Sequence, residues 1–218
     1  MRYSKGVETR GSIICAATEL FYEVGYQATT VRQIFERANT NLGLMKYYFN
    51  SKAEMAQIVY RKVRDGFDSL IDVSDLRPDT ADMFLFSSAL ELYLCLKSRP
   101  YGRFYCEISG ESAVRTRIEG IIAEVLMKYA LAKGTSPDAY VILACTSIAA
   151  IKPAIVGYVT GCPPEQAIPT EACLHYYLQQ QLHFLGEDIA RSAFFVDLLK
   201  RYYIAVADNF TPVMVKTS

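Results

Sequence analysis

The residues with the most chemical character fall close together near the start of the chain: Thr30, Arg32, Asn41, Leu42, Gly43, Lys46, Tyr47 and Lys52. They do not make a nucleophile or an acid–base couple. Hydroxyl, ammonium and guanidinium groups hold phosphate oxygens, and lysine or asparagine can also reach acceptors on base edges in a major groove. Gly43 would permit close approach to a duplex, and Lys52, opening a helix, could join its N-terminus in holding a phosphate. Elsewhere the chemistry thins out. His175 and His183 lie on one predicted helix with Glu171 one turn before His175, but a third ligand is missing from the pattern, so no metal site is expected. The six cysteines form no C-x-x-C pair and read as reduced thiols in a cytoplasmic protein. No nucleophile-elbow glycines, phosphate-binding glycine loop or dinucleotide fingerprint occurs, so neither an enzyme nor a cofactor is expected.

The chain has 218 residues, 51% of them apolar, and a formal net charge of zero. That excludes wholesale disorder and a disulfide-stapled mini-protein. The neutral total conceals a split. Residues 1–64 hold ten basic and five acidic side chains, a surplus of +5 that the rest of the chain cancels. A basic N-terminal part suits an anionic partner. The N-terminus shows no secretory apolar run.

The elements that must position these residues read as helices throughout. Ile13, Ala16, Ala17, Leu20, Phe21 and Val24 form one amphipathic stripe, and Gly25 stands where a left-handed cap would end it. Thr30 with Gln33 makes a capping box for a second helix carrying Val31, Ile34, Phe35 and Ala38; Asn39-Thr40-Asn41 interrupts it. A third short helix over Leu42 to Phe49 turns Met45, Tyr48 and Phe49 inward, which leaves Asn41, Leu42, Gly43, Lys46 and Tyr47 outside. Ser51 with Glu54 opens a longer helix to about Ile71. Further helices are expected from Pro78-Asp79 to Ser98, ended by Pro100, then around Ile118–Tyr129, from Ser136-Pro137 to Val159, over 170–185 and over 187–208. The fold class is all-α: a three-helix helix-turn-helix DNA-binding domain (1–50), a connecting helix (51–71) and a larger helical ligand-binding and dimerisation domain (72–218).

These residues resemble a known family. Thr9-Arg10, Ala16-Ala17, Leu20-Phe21, Gly25-Tyr26, Thr29 to Ile34, Ala38, Gly43-Leu44 and Tyr47 to Lys52 look like the N-terminal domain of TetR-type transcriptional regulators. The resemblance covers about residues 8–60. It implies an all-helical homodimer that binds double-stranded operator DNA and is controlled by a small-molecule effector. It also places Thr30, Tyr47 and Lys52 on phosphates, and Arg32, Asn41, Leu42, Gly43 and Lys46 facing or lining the groove. Asn39 stands where a turn glycine is common, Thr40 replaces a small apolar residue, Leu42 a polar one and Lys46 a frequent tyrosine. Those departures bear on the operator sequence rather than on the mode of binding.

The C-terminal part has no signature of its own. The stretch from Ala139 to Val159 is almost wholly apolar and nearly long enough to span a bilayer, but Lys152-Pro153 near its centre and the lack of flanking basic residues argue for a helix buried on two sides. A four-helix interface between two subunits, from about 137–160 and 187–208, is one outcome; a plain internal core is the other. Candidate effector contacts are Phe86, Tyr93, Phe104, Tyr105, Tyr129, Lys152 and Tyr176, with Glu91, Arg103, Tyr158 and Tyr177 as further aromatic or polar groups on apolar helices. Lys152 needs a partner, which could be an anionic ligand, an internal carboxylate or solvent. The rival reading is a helical small-molecule carrier or enzyme with a vestigial head.

Overall fold

The computed structural model describes residues 2–68, 81–132 and 139–202, and among these every regular element is helical. Helix α1 (Arg2–Glu23) buries Ile13, Ala16, Ala17, Leu20 and Phe21, as the periodicity predicts. Val24 does not continue that stripe: it lies past the helix end and is 46% exposed. Gly25 follows with φ 102°, a conformation that side chains avoid. Helix α2 (Val31–Arg37) starts from the expected capping box, with the Thr30 hydroxyl accepting from the Gln33 N–H and the Gln33 side chain accepting from the Thr30 N–H. Asn39 takes φ 51°, which lets it turn the chain where glycine would be the easier residue.

The third helix is shorter than its apolar pattern suggests. A 3₁₀ turn over Leu42–Leu44 leads into α3 (Met45–Tyr48), and Asn41 caps the turn by accepting from the Gly43 N–H at 2.7 Å. Helix α4 (Lys52–Asp68) opens with half of the expected box: Ser51 accepts from the Glu54 N–H, but the Glu54 carboxylate bonds Asn50 rather than returning to Ser51. Residues 69–80, which include the end expected for α4 and the Pro78-Asp79 start, lie outside the described residues.

Helix α5 (Asp82–Lys97) ends before Pro100, but Pro100 does not end the helical run. It sits in the first turn of α6 (Arg99–Ser109), where its missing N–H has no intrahelical partner to lose, and the Ser98 side chain caps that turn. The sequence reading missed this helix by treating the proline as a stop. Helices α7 (Ser112–Ala132), α8 (Ala139–Gly161) and α9 (Thr170–Phe184) follow, then a 3₁₀ turn at Ile189–Arg191 and α10 over 192–202. Gly186, at φ 63°, separates α9 from the turn. Residues 137–138 and 203–208 of the expected dimer segments are outside the described residues.

Helix α8 packs against α5, α6, α7 and α9, which accounts for its apolar character over most of its circumference. Its stretch Ala144–Gly161 is long and apolar enough to cross a membrane, yet it carries a buried lysine engaged with a neighbouring helix. Where α5, α6 and α8 converge, Gly102 lies so close to the Cys95 carbonyl that a Cβ would collide with backbone, while also pressing on Val156. Gly102→Ala is expected to lower stability by about 1–3 kcal/mol, since overpacking here can be relieved only by moving a helix; urea denaturation of the two proteins measures it.

Candidate nucleic-acid interface and effector cavity

The head presents one polar face. Thr30, Arg32, Asn41, Leu42, Gly43, Lys46 and Tyr47 are exposed, Tyr47 at 78%, while Met45 and Tyr48 are half-buried and Phe49 is buried beneath them. Tyr47 meets Tyr48 edge to face at 4.8 Å, which steadies its ring against the helix. Arg32 pairs with Glu36 one turn on, an exposed bridge that a phosphate can replace at little cost. The Thr30 hydroxyl is held by Gln33 on both its donor and acceptor sides.

Lys52 is placed differently from the sequence expectation. Its ammonium turns inward and donates to the carbonyls of Tyr26 and Thr29, both at 2.9 Å, with the Tyr26 ring 4.3 Å away. Burial lowers its pKa, against an opposing pull from Glu111 and Glu107. It ties the start of α4 to the turn between α1 and α2.

The head is docked on α6 and the residues after it. Phe21 stacks on Phe104 at 5.6 Å, and Tyr22 meets Phe104 edge-on. Around this apolar contact, Tyr26 Oη donates to Glu111 at 2.8 Å, the Gln27 N–H donates to Glu107 at 2.9 Å, and Arg103 donates to the Tyr22 carbonyl at 2.7 Å. A Cβ on Gly25 would sit 2.9 Å from the Glu107 carboxylate, so the glycine serves both the turn and the docking.

On the other side of α6 lies a cavity of about 710 Å³. Tyr60 and Arg64 enter it from α4, Ser87, Ser88 and Glu91 from α5, Tyr105 from α6, Ile118, Ile121, Ile122 and Val125 from α7, Ile148 and Lys152 from α8, and Tyr177 from α9. Of the sequence candidates, Tyr105 and Lys152 line it, as do Glu91 and Tyr177. The others do not. Phe86 is buried against Tyr202, Phe104 belongs to the head contact, Tyr93 lies beneath Lys97, and Tyr176 is 54% exposed. Arg103 is likewise spent on the head, Tyr158 is exposed, and the Tyr129 side chain is outside the described residues. Tyr60, Arg64, Ser87 and Ser88 were missed. A charged residue facing inward from the apolar side of the connecting helix was the available signal, and Arg64 carried it.

Lys152 finds an internal carboxylate. Its ammonium donates to Glu91 at 2.5 Å, with Arg64 3.7 Å from the same oxygen and donating to Ser87 Oγ at 2.8 Å. Burial alone would raise the Glu91 pKa, but Lys152 and Arg64 outweigh it and hold the carboxyl below its ordinary value of 4.5. Burial alone would lower Lys152, and Glu91 outweighs that in turn, raising it above 10.5. His175 and Glu171 join α9 to α10, through Ser192 at 3.2 Å and Lys200 at 2.8 Å; among the described residues no cluster suited to a metal occurs.

The stability that Glu91 confers is therefore complete above its unfolded pKa and lost as pH falls through its lowered native value. The part due to Lys152 is complete below its unfolded pKa and lost as pH rises through its raised one. Denaturant midpoints are expected to hold level around neutrality and to fall in acid below 4.5. Glu91→Gln should cost about 3–5 kcal/mol at neutral pH, by leaving a buried cation uncompensated, and should flatten the acid limb.

The profile described as "Bacterial regulatory proteins, tetR family" matches residues 13–58. The regulator HbdR of Aromatoleum sp. (strain CIB) is 39% identical over 64 residues, 29% of this chain and 28% of that protein. The regulator TtgR of Pseudomonas putida is 37% identical over 68 residues, 31% of this chain and 32% of that one. The chain thus spans about a third or less of the length of these relatives. Over the whole fold, RolR in complex with resorcinol superimposes with a TM-score of 0.61 at 20% identity, covering 89% of this chain and 95% of its own. TylP, a TetR regulator from Streptomyces fradiae, does so at 0.57 and 19%, covering 89% and 98%. Residues 13–58 are thus similar to the DNA-binding domain of the tetR family, and the chain as a whole shares its fold with these solved structures.

Proposed function

We propose that the protein is a homodimeric transcriptional repressor whose heads hold palindromic operator DNA until a small molecule enters the cavity. The observation that carries this reading is that α4 and α6 each touch both places. Helix α4 begins with Lys52 tied to the head and ends with Tyr60 and Arg64 in the cavity, while α6 sets Arg103 and Glu107 against the head and Tyr105 against the cavity. A ligand that favours one arrangement of these helices biases the position of the head by its differential affinity. The solved relative RolR holds resorcinol, a small aromatic, and this supports a small-molecule role for the fold.

Two copies are needed because one short recognition helix reads too few bases; two on a dyad read half-sites about 34–36 Å apart or a multiple of that. Helix α8 supports a place for the second copy. Its outward residues Thr146, Ser147, Ala150, Ala154 and Gly157 are small and exposed, which suits close helix packing, and α10 is its proposed partner in a four-helix interface. The protein would act in the cytoplasm, where its DNA is. The exposed, polar recognition face favours this reading over a carrier or enzyme with a vestigial head.

Selection from a randomised duplex pool, followed by titration at several salt concentrations, tests it. Wild type should enrich a palindrome. Lys46→Ala and Tyr47→Ala should each weaken binding by about 1–3 kcal/mol, and the former should reduce the salt slope by about 1 if Lys46 meets a phosphate. Lys52→Met should instead lower folding stability by about 1–3 kcal/mol and leave the salt slope alone, because its ammonium is spent on two carbonyls. Failure of the wild-type protein to prefer any duplex at low salt refutes the reading.

A further inference from the structure

The cavity is asymmetric in its chemistry. One wall is aliphatic, with Ile118, Ile121, Ile122, Val125 and Ile148. The opposite wall gathers ionic and hydroxyl groups: Arg61, Arg64 and Lys152 stand with Asp65 and Glu91, while Lys128, at the rim, is paired with Glu124 at 2.9 Å. Lys152 is the deepest of the cations, 7% exposed. An ammonium has three N–H donors. Glu91 accepts one, and the rings of Tyr177 and Tyr105 stand 5.5 and 5.8 Å from the nitrogen, attracting its charge without accepting a conventional hydrogen bond. The Ser88 and Tyr177 hydroxyls, bonded to each other at 2.6 Å, add adaptable polar groups on the same wall.

Charge and geometry select a ligand class. A cation as buried as Lys152 attracts an oxyanion more strongly than it would in water. An aliphatic wall opposite it rewards burial of a hydrocarbon body at about 25 cal/mol per Å². Resting on the reading of this cavity as the effector site, we propose that it takes an amphipathic organic anion, with its acidic oxygens against Lys152 and Arg64 and its hydrocarbon body along the isoleucine wall. The incoming anion would share the cations with Glu91 rather than replace it. Because Arg64 lies on α4, the ligand's charge would act directly on the helix that leads to the head.

Calorimetric titration of the full chain with decanoate and with decanamide, which share a hydrocarbon body and differ in charge, provides the test. Decanoate is expected to bind at least tenfold more tightly. Arg64→Gln should erase most of that preference, and Arg64→Lys should restore it. Lys152→Met should do as Arg64→Gln does; if it fails to fold, as judged by circular dichroism, the Arg64 pair decides the matter. Equal or tighter binding of the amide, no binding of either compound, or an undiminished preference in Arg64→Gln overturns the proposal. Duplex selection without any ligand is scored separately: success there with failure here removes the anion and keeps the repressor, whereas failure there removes the repressor whatever the calorimetry shows.

Discussion

The structure depends on one helix having two faces in use. Helix α6 is eleven residues long, and Arg103 and Glu107, four apart, hold the head while Tyr101, Tyr105 and Ile108 point into the body. The head is therefore seated on the same rigid element that forms part of the cavity wall, through an aromatic stack closed on its rim by charge-assisted hydrogen bonds. Such bonds have discrete partners and weaken steeply away from their preferred geometry, so a displaced α6 or α4 moves the head or breaks its contacts. On the proposed function a ligand would supply the energy for that choice. Shifting a population from 1:99 to 99:1 takes about 5.5 kcal/mol of differential affinity, within reach of a small molecule that buries a hydrocarbon body and meets a charge.

The Lys152–Glu91 pair is best understood in the same terms. A buried ion pair rarely stabilises a fold more than well-packed hydrocarbon of the same volume, because both ions must be stripped of water. Helix α8 is otherwise so apolar that leucine at its position 152 would look natural. Stability alone does not account for a lysine there. The proposed effector site would, since an ammonium fixed by Glu91 and framed by Tyr105 and Tyr177 gives it polarity, orientation and a single favoured position for charge.

The head was legible in the sequence because its signals are local. A capping box, an Asn able to take positive φ, a glycine past a helix end and a one-sided apolar stripe each act over a few residues, and the structure shows them, with Val24 falling off the stripe. The body was legible only as a set of helices. Pro100 concealed α6, since a proline that ends one helix and a proline in the first turn of the next look alike without the Ser98 cap geometry. Phe86, Phe104 and Tyr176 stand out by aromatic character, yet where a helix is apolar nearly all round, periodicity does not say which face meets a cavity and which meets a neighbour. Lys52 was misplaced for a related reason: a lysine at a helix start suits a phosphate in isolation, and only the path of the Tyr26–Thr29 turn shows two carbonyls within its reach.

That inward lysine also bears on how the head moves. With Lys52 tied to the α1–α2 turn and Tyr26 tied to Glu111, the start of α4 and the residues after α6 both hold the same turn. The recognition helix therefore has no independent hinge among these contacts, and under the proposed function a change in the cavity would reach it as motion of the whole three-helix unit. In a dimer, two-fold symmetry doubles the consequence: equal displacements of both heads add in their separation, while the half-sites on a stiff duplex stay fixed. On the proposed repressor reading, a shift at Arg64 transmitted along α4 would take both recognition helices out of register without either reading surface changing shape.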